Sequence, residues 1–246
     1  MRSSSPVIFC ASLCASMISS LPAFALDEIY SPNVVAGEIS AEYSGSRTFD
    51  NRTDKNNAQE HEIAFEYGVN NHWLTAASGG FTKEPQQEVQ FDYLELQNRF
   101  QFFEQGQYWL DSGLLVAFDK AVHHANANTL EVKLLLQKDI GRFTNTANIG
   151  FDQTVGKNAA GGPDYVFLWS TRYRYNELAQ PGFEIQSDLG AGAALQHFNQ
   201  QAHYAGPALY GSLFGPLHYE VAYLFGVSGA ATQGAARALL EYEMHF

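Results

Sequence analysis

The sequence predicts an all-β fold, a closed, antiparallel, up-and-down transmembrane β-barrel of twelve strands that follows a cleaved signal peptide. Three observations predict it. Apolar and polar residues alternate over many short segments, as a sheet between lipid and water requires. Short turns and longer polar loops alternate between these segments. The chain is 46% hydrophobic and 14% aromatic, yet no stretch after residue 25 is apolar and long enough for a membrane helix.

Twelve segments carry the strand signal, and most have one apolar face. We place them at 35–49, 61–69, 73–81, 89–102, 107–119, 130–137, 143–152, 165–175, 183–191, 204–214, 219–225 and 235–246. The clearest outward faces are Ile39, Ala41 and Tyr43 in the first segment; Ile63, Phe65, Tyr67 and Val69 in the second; Leu114, Val116 and Phe118 in the fifth; Leu130, Val132, Leu134 and Leu136 in the sixth; Ala147, Ile149 and Phe151 in the seventh; Phe167, Trp169 and Tyr173 in the eighth; Phe183, Ile185 and Leu189 in the ninth; and Tyr219, Val221, Tyr223 and Phe225 in the eleventh.

The fourth segment has mixed parity. Phe91 and Tyr93 share one face, whereas Leu94, Leu96 and Phe100 share the other. One extra residue in a strand reverses the faces beyond it, so the mixture predicts a β-bulge near Tyr93.

The connections support an even number of strands. If the links are counted along the chain from the one between the first and second segments, the even-numbered links are short and contain turn residues such as Asn70-Asn71 and Gly215-Pro216. The odd-numbered links are longer and polar. Short periplasmic turns and long outer loops are typical when both termini lie in the periplasm. A soluble periplasmic β-sandwich or lipocalin-like barrel is the alternative fold.

The N-terminus reads as an export signal. Met1-Arg2 is followed by an apolar stretch at 7–18 and by Ala23-Phe24-Ala25, a small-x-small cleavage site. Residues 1–25 are therefore expected to be the signal peptide and residues 26–246 the barrel domain. Both cysteines, Cys10 and Cys14, lie in the signal. The mature chain would then form no disulfide or thiolate metal site, and we expect no cofactor.

The C-terminal segment carries a resemblance. Its alternating apolar residues end on an aromatic side chain, and this ending resembles the terminal strand of bacterial outer-membrane β-barrel proteins. The resemblance implies an outer-membrane location, with lipid and lipopolysaccharide around the barrel, and passage through periplasmic chaperones and the barrel-assembly machinery. The implied assembly signal consists of Leu240, Tyr242, Met244 and Phe246.

Two further likenesses bear on function. Tyr30-Ser31-Pro32, Gly37-Glu38 and Leu240-Glu241-Tyr242 resemble a porin-like group of proteobacterial outer-membrane proteins that has no assigned activity, so no site residue is transferred. The twelve-stranded size is similar to that of nucleoside channels and of acidic-oligosaccharide channels. The latter have a strongly basic lumen, which this chain lacks.

The inward faces predict an acidic lumen. The net charge is -12, which disfavours nucleic-acid binding. An acidic, water-filled passage favours cations or small neutral solutes, so we expect a porin-like passive channel. The alternative is a structural barrel plugged by interlocking acids and bases, in which Arg172 and Arg174 are candidates to pair across the lumen. The predicted lumen residues are Glu38, Glu42, Glu62, Glu66, Asp111, Glu131, Lys133, Arg172, Arg174, Glu184, Asp188, Glu220, Glu241 and Glu243.

A lipid-modifying enzyme is the less favoured alternative. A serine hydrolase on the lipid face needs an adjacent serine and histidine with an orienting acid or amide. The outward serines are Ser112 and Ser187, and the sequence gives neither an evident histidine partner. The histidines His123, His124, His197 and His203 fall in loops or at strand ends, where they are more often unliganded than metal-bound, so no metal site is expected.

Overall fold

The computed structural model describes residues 26–123, 125–192 and 197–245. In this part of the chain it forms a closed barrel of twelve strands. The predicted signal peptide and the terminal Phe246 lie outside the described residues. The strands are β1 (Glu38–Phe49), β2 (Gln59–Asn70), β3 (Trp73–Lys83), β4 (Gln90–Gln101), β5 (Asp111–Ala121), β6 (Asn128–Ile140), β7 (Phe143–Val155), β8 (Asp164–Tyr173), β9 (Gln180–Ala191), β10 (Ala202–Leu213), β11 (Leu217–Gly226) and β12 (Gly234–His245).

Each strand pairs antiparallel with its neighbours in sequence, and β1 closes the barrel against β12. The closing register runs from Glu38 opposite His245 to Phe49 opposite Gly234. Closure leaves no open strand edge, which is the condition for a sheet to cross a bilayer. The predicted fold class is confirmed. Below, the end with the short links is called the short-turn end, and the end with the long links the long-loop end.

The exterior of the barrel is apolar where lipid is expected. Phe65, Leu96, Ile149 and Phe225 are among the large side chains exposed there. Inward positions are mostly small, polar or charged, with a few buried leucines such as Leu115, Leu135 and Leu168 among them. The alternation in the sequence thus becomes a division between outer and inner faces. Among the described residues, no helix has the length and apolarity needed to cross a membrane.

The bulge expected in β4 is present. Gly80 pairs with Tyr93, but the next residue, Phe81, pairs with Phe91, so Asp92 is the extra residue. Phe91 consequently points outward and packs on Phe81 at 5.2 Å between ring centroids. Tyr93 points inward, where its hydroxyl reaches carboxylates of β2.

Most strand boundaries differ from the sequence prediction by a few residues, and two of these differences change the interpretation of particular side chains. β5 begins at Asp111 rather than 107, because Tyr108 leaves the strand direction and packs edge-on against Phe103 at 4.6 Å. β10 begins at Ala202 rather than 204, so His203 belongs to the strand. Its partner across the ladder is Ser187 of β9.

Residues 26–34, which we name the lumen segment, precede the first predicted strand and carry no strand signal in the sequence. They run inside the barrel towards the short-turn end: Asp27 bonds to Gln186 of β9, and Val34 donates its backbone N–H to Gln101 Oε1 at the end of β4. Gly68 gives room to the chain that follows the segment, because a Cβ there would lie 1.9 Å from the Val35 carbonyl oxygen. The barrel is thus an occupied cylinder whose interior is shared between the wall and this segment.

Candidate functional site

The lumen segment is held by two amide side chains that imitate a β-strand partner. Tyr30 donates its backbone N–H to Asn148 Oδ1 at 2.8 Å, and Asn148 Nδ2 donates to the Tyr30 carbonyl at 2.8 Å. Asp27 and Gln186 form the same reciprocal pair at 2.9 and 3.0 Å. Both amides are fully buried on inward positions of β7 and β9. Backbone groups far from bulk water therefore keep their hydrogen bonds without joining the sheet.

Two cations flank the segment. Arg99 on β4 lies over one side of the Tyr30 ring at 5.2 Å, and Lys133 on β6 lies 5.8 Å from the same ring. Lys133 also approaches the Asp27 carboxylate at 3.3 Å. Such cation–π contacts are favourable where water is excluded. The segment is thus positioned by side chains of several strands, and it has no continuous ladder of its own.

Above the segment, at the long-loop end, lies a cavity of about 580 Å³. Among the described residues, twelve acidic and three basic residues line it. The acidic residues are Asp27, Glu28, Glu60, Glu62, Glu84, Asp92, Glu95, Asp119, Glu131, Asp152, Asp164 and Asp188, and the basic residues are Lys83, Lys133 and Arg237.

The carboxylates of this cavity are only partly compensated. Tyr93 donates its hydroxyl towards Glu60 and Glu62, at 3.0 and 2.8 Å. Lys133 approaches Glu131 at 3.0 Å. In contrast, Asp119 and Asp152 each keep one buried carboxylate oxygen that has no hydrogen-bond partner. The cavity therefore concentrates negative potential, which attracts cations.

Below the segment, at the short-turn end, is a smaller cavity of about 140 Å³. Its wall holds Glu42, Glu66 and Glu241 together with Arg99 and Arg172. Arg99 donates to both oxygens of Glu66 at 3.0 and 3.3 Å. Glu28 of the lumen segment lines both cavities, so the segment forms the boundary between them.

A third polar group, which we name the Arg237 network, is compact and closed. Arg237 on β12 donates to Glu184 at 2.6 and 3.1 Å and to Glu220 at 2.8 Å. Tyr210 donates its hydroxyl to Glu184 at 2.7 Å, and Gln186 donates to the other Glu184 oxygen at 3.3 Å. Glu184 is 0% exposed. The network links β9, β10, β11 and β12 across the inside of the wall.

The structure distributes the sequence-predicted lumen residues over these groups. Glu62, Glu131, Lys133 and Asp188 line the larger cavity, whereas Glu42, Glu66, Arg172, Glu220 and Glu241 line the smaller one. Glu184 belongs to the Arg237 network. The remaining four, Glu38, Asp111, Arg174 and Glu243, lie at the short-turn rim.

At that rim, Glu38, Glu243 and His245 bring one potential ligand atom each to within 4.8 Å of one another, a group that could hold a divalent cation. Asp111 accepts the Gly106 backbone N–H at 2.6 Å. Arg174 makes no pair across the lumen. Because β8 ends at Tyr173, Arg174 lies in the following turn, where it pairs with Asp139.

Sequence reasoning missed several lumen residues. Asp27, Glu28 and Tyr30 lie before the first predicted strand, in a segment that has no strand alternation. Glu95 and Tyr93 were obscured by the mixed parity of β4. The change of parity in β4 is the signal that could have identified them. If the face assignment is shifted by one residue after Asp92, both Tyr93 and Glu95 point inward.

In the loop between β1 and β2, one acid has a strongly shifted pKa. Hydrogen bonds from the Arg52 guanidinium to the Asp50 carboxylate hold its pKa at about 2, below the ordinary 3.8. Arg52 also donates to the carbonyl of Ala231 at 2.7 Å. Asp50 therefore joins the β1–β2 loop to the β11–β12 loop, beside the seam where the barrel closes.

Comparison with known proteins places the fold. No protein-family model matches the chain, and no curated protein matches it in sequence. Solved structures of several outer-membrane barrels are similar to it. The COG4313 outer membrane channel from Pseudomonas putida F1 has a TM-score of 0.59 at 10% identity, over 87% of this chain and 97% of that one. The KdgM porin has a TM-score of 0.57 at 9% identity, over 84% of this chain and 99% of that one.

The NanC porin has a TM-score of 0.53 at 11% identity, over 84% of this chain and 99% of that one. All three likenesses extend over nearly the whole of the known barrels. At these identities they concern the fold and not the solute. The chain therefore has the porin-like β-barrel fold of bacterial outer-membrane channels.

Proposed function

We propose that this barrel is a porin-like passive channel of the outer membrane, with an acidic lumen that favours cations or small neutral solutes. The observation that carries the proposal is the long-loop cavity of about 580 Å³, where carboxylates outnumber cations among the described lining residues. A concave, low-dielectric wall of one sign raises the local concentration of counter-ions. Solutes arriving from the long-loop end would meet this cavity first.

The lumen segment sets the width of the path. It separates the two cavities and is anchored by amide pairs and two cations. Each neutral hydrogen bond contributes about 1 kcal/mol net. The segment can therefore yield without the barrel unfolding, because its bonds are few and none belongs to the sheet.

The same segment favours a second candidate, a plugged structural barrel. If the segment never moves, the lumen passes nothing larger than water. The two candidates differ in a measurable quantity, the ionic conductance of the folded barrel.

The test is single-channel conductance of the refolded mature chain in a planar bilayer, with a salt gradient across it. We expect steady conductance and a reversal potential of the sign that a cation-selective channel gives in this gradient. The double variant Glu62→Gln, Glu84→Gln, which removes two carboxylates of the cavity lining, should move that potential towards zero. An unchanged potential in this variant would exclude the acidic cavity as the selectivity element.

The segment is tested by Asn148→Ala combined with Gln186→Ala, which removes both amide anchors and should raise the conductance. The matched control is Asn145→Ala, also on β7, which bonds the Lys138 carbonyl at 3.4 Å and does not contact the segment. If the wild type and the anchor variant are both folded and both silent, the plugged barrel is the better account.

A further inference from the structure

A serine and a histidine meet on the outer face of the barrel. Ser187 on β9 and His203 on β10 are directly paired across the ladder. Both point away from the lumen, because their neighbours Gln186 and Tyr204 face inward. Ser187 Oγ lies 2.8 Å from His203 Nδ1. Sequence analysis found no evident partner for Ser187, because His203 lies before the predicted start of its strand.

Gln201 fixes the protonation state of this pair. Its Nε2 donates to the Leu189 carbonyl at 3.2 Å, which orients the amide so that Oε1 faces His203 Nε2 at 2.8 Å. An amide oxygen only accepts, so Nε2 must carry the ring proton. Nδ1 is then the bare nitrogen, and the Ser187 hydroxyl donates to it. This is the arrangement in which a histidine can act as general base for a serine nucleophile.

The three residues are held from several sides. The His203 backbone N–H donates to Ser228 Oγ at 3.0 Å, and Ser228 Oγ donates to the Gln201 carbonyl at 2.7 Å. The Phe198 ring stacks on the His203 ring at 4.4 Å. Ser187 is 5% exposed, whereas Phe198 is 56% exposed. The polar groups are thus positioned by strands and covered on one side by an aromatic ring.

The location indicates the class of substrate. Ser187 lies four residues before the end of β9 at the long-loop end, which corresponds to roughly 10 Å along the barrel axis for a tilted strand. Its outward neighbours along the barrel are apolar, with Ile185 directly paired with Ala205. Acyl chains would lie along this face, and lipid ester groups occupy the depth where hydrocarbon meets headgroup.

We infer that Ser187, His203 and Gln201 form a serine-hydrolase site for acyl esters of membrane lipids. Ser187 Oγ attacks the ester carbonyl carbon while its proton passes to His203 Nδ1. The C–O bond to the alcohol breaks, and the alcohol leaves with that proton, so that an acyl ester remains on Ser187. Water then attacks this ester, gives its proton to Nδ1 and releases the fatty acid, and the proton returns to Ser187. The net reaction is ester plus water to acid plus alcohol.

Gln201 is a positioning residue, because it acts through His203 and touches no reacting atom. The site is independent of conduction, since it lies on the opposite face of the wall from the lumen. An inactive channel would therefore leave this proposal standing.

The test combines labelling and turnover in the refolded full mature chain. A fluorophosphonate probe is added to protein in vesicles of phosphatidylethanolamine, the modified residue is located by mass spectrometry, and fatty acid release is measured. We expect label on Ser187 and release of fatty acid. Both should vanish in Ser187→Ala and fall by about 100-fold or more in His203→Ala, as for loss of a general base.

A matched control is available in the same chain. Ser212 also pairs with a histidine, His218, at 2.8 Å, but this pair faces the lumen near the short-turn end. Ser212→Ala should leave both readouts unchanged. Phe198→Ala should speed labelling of Ser187, because it removes the ring stacked on His203.

Substitution of Gln201 distinguishes a positioning role from a purely structural one, through the labelling rate and its dependence on pH. Gln201→Ala should slow labelling, and Gln201→Glu should restore it, since a carboxylate also accepts the Nε2 proton. The carboxylate stabilises the imidazolium, so the midpoint of the pH–rate profile should move to higher pH. Heat-modifiable migration on gels verifies that each variant is folded. The proposal would be overturned if the wild type and Phe198→Ala were both folded and neither was labelled. It would also be overturned if fatty acid release persisted in Ser187→Ala.

Discussion

The two buried cations Lys133 and Arg237 lie in opposite electrostatic settings of one lumen. Arg237 is enclosed by Glu184, Glu220 and their hydrogen-bond partners, and every oxygen of Glu184 is bonded. Lys133 pairs with Glu131 and Asp27 in a cavity where other carboxylates, including those of Asp119 and Asp152, keep unpaired oxygens. Arg237 completes a network, whereas Lys133, which also anchors the lumen segment, leaves an excess of negative charge around it.

The difference separates a structural from a functional use of charge. A closed network of buried ions holds strands in place, but each member depends on the others. An open cluster is poorly suited to stability, and it is suited to attracting counter-ions. The predictions below test whether these two roles are distinct.

The largest effect is expected at the closed network. Arg237→Met leaves Glu184 buried without its cation, and breaking such a pair costs about 3–5 kcal/mol. The measurement is the free energy of unfolding of the refolded barrel, obtained by urea titration in lipid vesicles. The control is Arg174→Met, whose partner Asp139 is exposed, so that about 0–1 kcal/mol is expected. Equal losses in the two variants would remove the distinction between the closed network and a surface pair.

A different response is expected at the open cluster. Lys133→Gln removes a cation from the wall of the larger cavity and from the Asp27 carboxylate. The cation preference of the channel should rise, on the order of twofold in permeability ratio, while stability should fall less than in Arg237→Met. The reversal potential in a salt gradient gives the first quantity and urea titration the second. Lys83→Gln, at the mouth of the same cavity, should change the reversal potential less; a larger shift there would place the selectivity at the mouth.

The barrel could be predicted from sequence because the patterns that specify it involve residues close together in the chain. Alternation at period two, as in Ile63, Phe65 and Tyr67 of β2, reports directly which face meets lipid. Turn residues such as Asn70 set the strand order, since sequential hairpins have one simple way to close. Even the β4 bulge leaves a trace, in the changed parity at Tyr93.

The candidate sites were less predictable because they depend on distant pairings. The lumen segment has no strand pattern, and its anchors Asn148 and Gln186 lie more than 100 residues away in sequence. The Ser187–His203 pair needs the β9–β10 register, which a two-residue error in the start of β10 conceals. The balance of charge around Arg237 likewise becomes visible only when β9, β11 and β12 are brought together.

The smallest effect is expected where charge is compensated but in contact with water. The Asp50–Arg52 pair lies between two loops, and the folded-state pKa of Asp50, about 2, is below its ordinary value of 3.8. A lowered pKa means that the pair stabilises the loops fully above the ordinary value, and that this contribution disappears as the pH falls through about 2. Asp50→Asn should therefore increase amide hydrogen exchange of the β1–β2 and β11–β12 loops at neutral pH, and the difference from the wild type should shrink as the pH is lowered towards about 2. Its global unfolding free energy should change far less than that of Arg237→Met, because water screens the pair. A loss comparable to that of Arg237→Met would mean that loop pairing at the seam contributes as much to the stability of the barrel as the closed network does.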